Sequence, residues 1–106
     1  NKEVVVPNLC EEKAFNPEDL GKIVKFVPVK DKDIMTLFYQ LPYCQKDFKT
    51  QPVDYLSSVI GHEGENSLLS YLKAEDFALE LSTSPDHAMD GLTTFEIEIT
   101  LTKKGL

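Results

Sequence analysis

A chain of 106 residues is long enough for one domain or for part of a larger one, and too short for two. With 42% hydrophobic and 27% charged residues it has material for a core and no bias toward disorder. Eleven basic residues against eighteen acidic ones leave a net charge of −7, which repels phosphate backbones and anionic lipid. No nucleic acid and no membrane partner is therefore expected, whereas neutral or cationic peptides are compatible. No apolar run reaches the ~20 residues that span a bilayer, and residues 1–4 lack the apolar stretch of a signal peptide.

In chain order, residues 1–21 read as an irregular lead-in. They are rich in Pro, Asn and Glu, with one helical turn where Pro17 precedes Glu18 and Asp19. Residues 22–29 are β-rich but contain Pro28, which has no N–H for a ladder, so this strand is expected to end there or lie at an edge. After a polar turn at Asp31, Lys32 and Asp33, residues 34–41 place Met35, Leu37, Tyr39 and Leu41 on one face of a second strand. The two runs together suggest a hairpin.

Pro52 opens a helix in which Val53, Leu56 and Ile60 recur at spacings of three and four, and Gly61, a residue able to adopt positive φ just past a helix end, stops it. A second helix begins after Asn66 or Ser67, with Leu68, Leu69 and Leu72 turned inward. Residues 77–82 read as a strand, followed by a turn at Pro85 and Asp86 and a mobile stretch through Asp90 and Gly91. The last strand is the clearest element, because Phe95, Ile97, Ile99 and Leu101 alternate with Thr94, Glu96, Glu98, Thr100 and Thr102. The resulting fold class is α+β, an antiparallel sheet covered by helices on one face, in the order β-β-α-α-β-β.

Side chains that could carry chemistry are few. His62 and Glu63 begin like HExxH, but Gly64, Glu65 and Asn66 follow, so no second histidine arrives one helical turn later, and HxxEH is missing too. His87 has no carboxylate pattern beside it. Cys10 and Cys44 belong to no CxxC and read as free thiols. The serines offer no GxSxG, no glycine-rich phosphate loop is present, and Glu96 and Glu98 occupy solvated positions of an alternating strand. What remains is a carboxylate, Glu63, on a loop between two glycines. It could bind a ligand, or it could cap the next helix while His62 meets a backbone carbonyl.

The run IGHEGENSLLSYLKAEDFALEL at residues 60–81 resembles the insulysin-like zinc metalloproteases, in which this stretch has the form IGHEGxGSLLSxLKxxxW. Tyr55 and Leu56, residues 27–31, Leu101 and Thr102, and residues 105–106 match as well, so the likeness is co-linear with essentially the whole chain. Nardilysin-like members share much of it.

The resemblance implies residues 22–106 to be part of a second, non-catalytic domain of such an enzyme, a partial pitrilysin-type α/β roll. It implies a parent that is a zinc endopeptidase acting on peptides, with the inverted zinc motif in a preceding domain and no cofactor in this segment. It also implies an exosite that holds a substrate's N-terminus, which places Gly61 and Glu63 on the exosite turn and Leu81, Ser82 and Thr83 on a strand edge that pairs with the peptide. Expected partners are thus the peptide N-terminus and the remaining domains of the parent. The family's glycine pair after the edge leucine is replaced here by Ser82, Thr83, Ser84 and Pro85, and its tryptophan by Phe77, so an altered exosite is expected. The alternative is a purely structural domain of an inactive homologue.

Overall fold

The computed structural model describes residues 15–29, 31–42, 47–89 and 92–106, with backbone alone at 87–89. Most of the lead-in, Cys10, Cys44, Asp90, Gly91 and the His87 side chain lie outside the described residues. A 3-10 turn spans Pro17–Asp19, with the Asp19 carboxylate accepting the Asn16 N–H at 3.1 Å. The regular elements follow as β1 (Ile34–Leu41), α1 (Pro52–Ile60), α2 (Leu68–Ala74), β2 (Ala78–Met89) and β3 (Leu92–Leu101).

The three strands form one antiparallel sheet in the order β1-β3-β2. The most strictly alternating strand, β3, therefore lies in the centre, where a neighbour on each side satisfies its backbone. Phe95, Ile97 and Ile99 point to the face that α1 and α2 cover, and there they meet Val53, Leu69, Ala78 and Leu81 in the core. Leu41, Ile60, Leu72 and Leu101 pack around that core. The fold class is thus α+β, with the helices on one face.

Several local expectations change. Residues 22–29 form no strand: Val27 and Val29 are 93% and 104% exposed, and no sheet neighbour takes up their backbone. High β-propensity describes side chains that suit a pleated surface and does not itself supply a ladder partner. The expected hairpin is therefore replaced by β1 pairing with β3, Ile34 opposite Thr100 through Leu41 opposite Thr93.

Pro85 and Asp86 do not form a turn. They lie within β2, opposite Phe95 and Thr94. Thr94 is buried, not wet, and Leu68 faces solvent, leaving Leu69 as the buried contact of α2. Gly61 closes α1 at φ −78°, so its left-handed conformation is not used; among the described residues the positive φ values fall at Gln51, Asn66 and Asp76, with Gly21 in the lead-in.

The chain beyond β3 folds back on the end of α2. Thr102 donates its N–H to the Phe77 carbonyl at 3.0 Å and its hydroxyl to the Asp76 carbonyl. Lys104 Nζ donates to the Glu75 carbonyl at 2.6 Å and lies 4.9 Å from the centre of the Phe77 ring. A cation placed on the last carbonyls of a helix offsets their partial negative charge. Gly105 passes so close to the Phe77 carbonyl that any Cβ there would overlap it.

Candidate functional site

The site begins where α1 ends. Ser57 sits in its last turn, and its carbonyl accepts the Gly61 N–H at 2.8 Å and the Thr83 hydroxyl at 3.1 Å. Ser57 Oγ and Thr83 Oγ1 are 2.7 Å apart. Because Thr83 has one hydroxyl proton and directs it to the carbonyl, Ser57 is the donor in the hydroxyl pair. The two residues thereby clasp the C-terminal turn of α1 to β2. A Cβ on Gly61 would come within 2.8 Å of Thr83 Oγ1 and 2.9 Å of the Ser57 carbonyl, so close approach is what demands glycine.

Beyond Gly61, residues 62–64 form an exposed loop that carries Glu63. Among the described residues neither His62 nor Glu63 takes a hydrogen bond or ion pair; the His62 ring folds over Gly64. Glu63 does not cap the next helix. That position belongs to Ser67, whose hydroxyl oxygen accepts the Ser70 N–H at 3.1 Å.

The sheet determines which backbone groups of β2 are available. The Leu101 N–H donates toward β1, to the Asp33 carbonyl at 2.8 Å, and the Thr102 N–H donates toward the β2 side, to Phe77. Backbone direction alternates along a strand, so the even-numbered residues of β3 face β2 and the odd-numbered ones face β1. Glu80, Ser82, Ser84 and Asp86, opposite Thr100, Glu98, Glu96 and Thr94, therefore direct their N–H and C=O groups into the ladder. Leu81, Thr83 and Pro85, opposite Ile99, Ile97 and Phe95, direct theirs away from it.

Pro85 agrees with this parity, since a proline is tolerated in a ladder only where its nitrogen faces outward. No further strand covers that side among the described residues. The open edge thus offers N–H groups at Leu81 and Thr83 and carbonyls at Leu81, Thr83 and Pro85.

Of the five residues singled out by sequence, the structure brings Gly61 and Thr83 into contact and places Glu63 two residues beyond. Leu81 has its side chain in the core and its backbone on the edge. Ser82 is exposed on the opposite face, with its backbone committed to β3. Sequence reasoning passed over Ser57, one of several ordinary serines. Pro85 reads in the sequence as part of a turn; the signal for its place in the strand is that it has the same parity as Leu81 and Thr83.

The chain is 37% identical over all 106 residues to the insulin-degrading enzyme of Homo sapiens, and 37% identical over 98 residues to the A-factor-processing enzyme of Saccharomyces cerevisiae. It is 32% identical over 95 residues, 86% of the chain, to nardilysin of Rattus norvegicus. A crystal structure of pitrilysin shares the fold at a TM-score of 0.63 over 70% of the chain and 8% of that structure, with 17% identity. This chain is a segment of the pitrilysin family. No protein-family model matches it.

The pitrilysin-family segment spans 10% of the length of the human and yeast relatives and 8% of nardilysin. Among its described residues, no three His, Cys, Asp or Glu side chains converge so as to hold a metal ion.

Proposed function

We propose that this segment is the substrate-anchoring, non-catalytic part of the second domain of an insulysin-like zinc metalloendopeptidase that degrades peptides. The catalytic zinc and the remaining domains belong to the parent protein. The observation that carries the reading is the joining of the Glu63-bearing loop to an open sheet edge through Gly61, Ser57 and Thr83. An extended peptide adds to such an edge as a further strand. Each backbone bond contributes about 0.5–1.5 kcal/mol net, and a carboxylate on the peptide's ammonium about 1.5–3 kcal/mol. Together these suit an anchor that holds one end of a substrate and lets it go.

The test uses the parent protease and one peptide in two forms, with a free and an acetylated N-terminus. The free form is expected to show the lower KM, and Glu63→Gln to remove the difference while the kcat of the acetylated form stays unchanged. Equal KM values for the two forms in the unsubstituted enzyme would refute the anchor.

A second reading, a purely structural domain of an inactive homologue, is favoured by β1. Its helix-side residues Met35, Leu37 and Tyr39 are 39%, 36% and 48% exposed, an apolar face suited to packing on other parts of the parent. A parent that cleaves no peptide and shows no preference for a free N-terminus would support that reading.

A further inference from the structure

A short relay of hydroxyl groups joins the last turn of α1 to β2. Ser57 Oγ donates to Thr83 Oγ1 at 2.7 Å, and the Thr83 hydroxyl donates in turn to the Ser57 carbonyl at 3.1 Å. That carbonyl also accepts the Gly61 N–H at 2.8 Å, so a single oxygen both closes the helix and holds it to the sheet. Both side chains are half-buried, where hydrogen bonds are shielded from water and keep their direction. Val53 and Ile60 also press α1 onto the core, but apolar contact has no direction and does not by itself fix how the helix is turned. Thr83 stands in the stretch where the sequence departs from the glycines of the family pattern, and a glycine has no hydroxyl from which to build such a relay.

The relay bears on Glu63. Neither Glu63 nor His62 takes a hydrogen bond among the described residues, so the place of the loop relative to β2 is inherited from the end of α1. Two weak contacts on one ligand add in full only when the distance between them is fixed beforehand; otherwise the cost of ordering them is met on binding.

We infer that Ser57 and Thr83 are positioning residues whose hydroxyls couple the Glu63 loop to β2, so that carboxylate and strand engage one peptide together. The inference rests on the anchor proposed above and adds which side chains set its strength. The relay has an order. Thr83 takes part in both of its bonds and Ser57 Oγ in one, so losing the Thr83 hydroxyl uncouples the loop more than losing that of Ser57.

The test uses the parent protease and one peptide with a free or an acetylated N-terminus. It reads the ratio of the two KM values, in which contacts common to both forms cancel. Ser57→Ala is expected to lower the ratio about twofold to threefold, Thr83→Val about fivefold or more, and Thr83→Ser to keep it within about twofold. Because Thr83→Val removes both bonds, adding Ser57→Ala to it should lower the ratio no further. Ser57→Ala retains the bond from Thr83 to the carbonyl and keeps the test open if Thr83→Val does not fold. A ratio unchanged in Ser57→Ala and in any folded Thr83 variant, even with a lower Tm or kcat, overturns the coupling and leaves the anchor in place, since the pair would then serve the fold alone. An additive loss in the double variant also overturns it, because the two hydroxyls would act independently. So does a Thr83→Ser enzyme as weak as Thr83→Val, which would assign the effect to the methyl group. Equal KM values for the two peptides in the unsubstituted parent overturn the anchor and the inference with it.

Discussion

At the scale of single residues, two glycines are fixed by what lies against them. Gly61→Ala brings a methyl against a movable hydroxyl and an immovable carbonyl, and we expect a destabilisation of about 1–3 kcal/mol in chemical denaturation, with the free-N-terminus preference weakened. Gly105→Ala meets only backbone, so its cost should be at least as large. Thr83→Val removes the hydroxyl that donates to the Ser57 carbonyl and leaves Ser57 Oγ without its acceptor, for an expected loss of about 1–2 kcal/mol, whereas Thr83→Ser should restore most of it. The sequence marks Gly61 as a turn residue for its backbone freedom. Its φ is ordinary, and the true reason, contact with a residue 22 positions away (83 − 61), has no local signature.

One titration belongs to this scale. Asp33 raises the pKa of Lys103 above the ordinary 10.5, through a hydrogen bond of 2.9 Å and the attraction of its charge. The favourable pairing is fully present below the ordinary lysine value and is lost as pH rises through the raised one. Because Lys103 is exposed, salt screens the pair, and a melting profile is expected to show no inflection from it at neutral pH.

At the scale of elements, periodicity is informative where an element has one covered and one open face. The last strand is legible because its odd-numbered residues are buried by helices, and α1 because Val53 and Ile60 face the core. The length of β2 is not legible. Pro85 acts as a breaker when its nitrogen must pair and is neutral when it faces outward, and only the sheet order decides between them. The same applies to residues 22–29, where β-forming side chains have no strand beside them.

For the candidate site, Gly61, Glu63, Leu81, Ser82 and Thr83 are marked in the sequence by its likeness to the family. Which backbone groups are open could be read only from the register. Shortening the chain after Leu101 should cost more stability than the few lost residues suggest, because Thr102, Lys104 and Gly105 hold the end of α2. Hydrogen exchange is expected to speed up first in α2 and at the start of β2.

At the scale of the whole molecule, composition gives no warning of how much apolar surface stays uncovered. Its radius of gyration is 17.6 Å, against about 13 Å for a compact domain of this length. Met35, Leu37 and Tyr39 on β1 lie beyond the reach of the two helices, which pack over β2 and β3. An apolar recess of about 320 Å³ opens beside them, between Met35, Leu72, Phe77 and Ile99. The isolated 106 residues are accordingly expected to bind a hydrophobic dye and to melt without a sharp transition, and the parent to do neither. A cooperative melt without dye binding would mean instead that the segment stands alone.

The open edge of β2 is interrupted twice, by Leu79, left without a partner between Ala78 and Glu80, and by Pro85, which has no N–H, and these interruptions protect the molecule that carries them. Any strand left open to a guest is equally open to another copy of itself, and an uninterrupted edge invites sheets to grow from chain to chain into fibres. With an unpaired residue at one end and a missing donor at the other, β2 leaves room for the tip of a peptide and too little for a zipper. Replacing Pro85 by valine should therefore remove a safeguard, seen as concentration-dependent aggregation of the segment in light scattering.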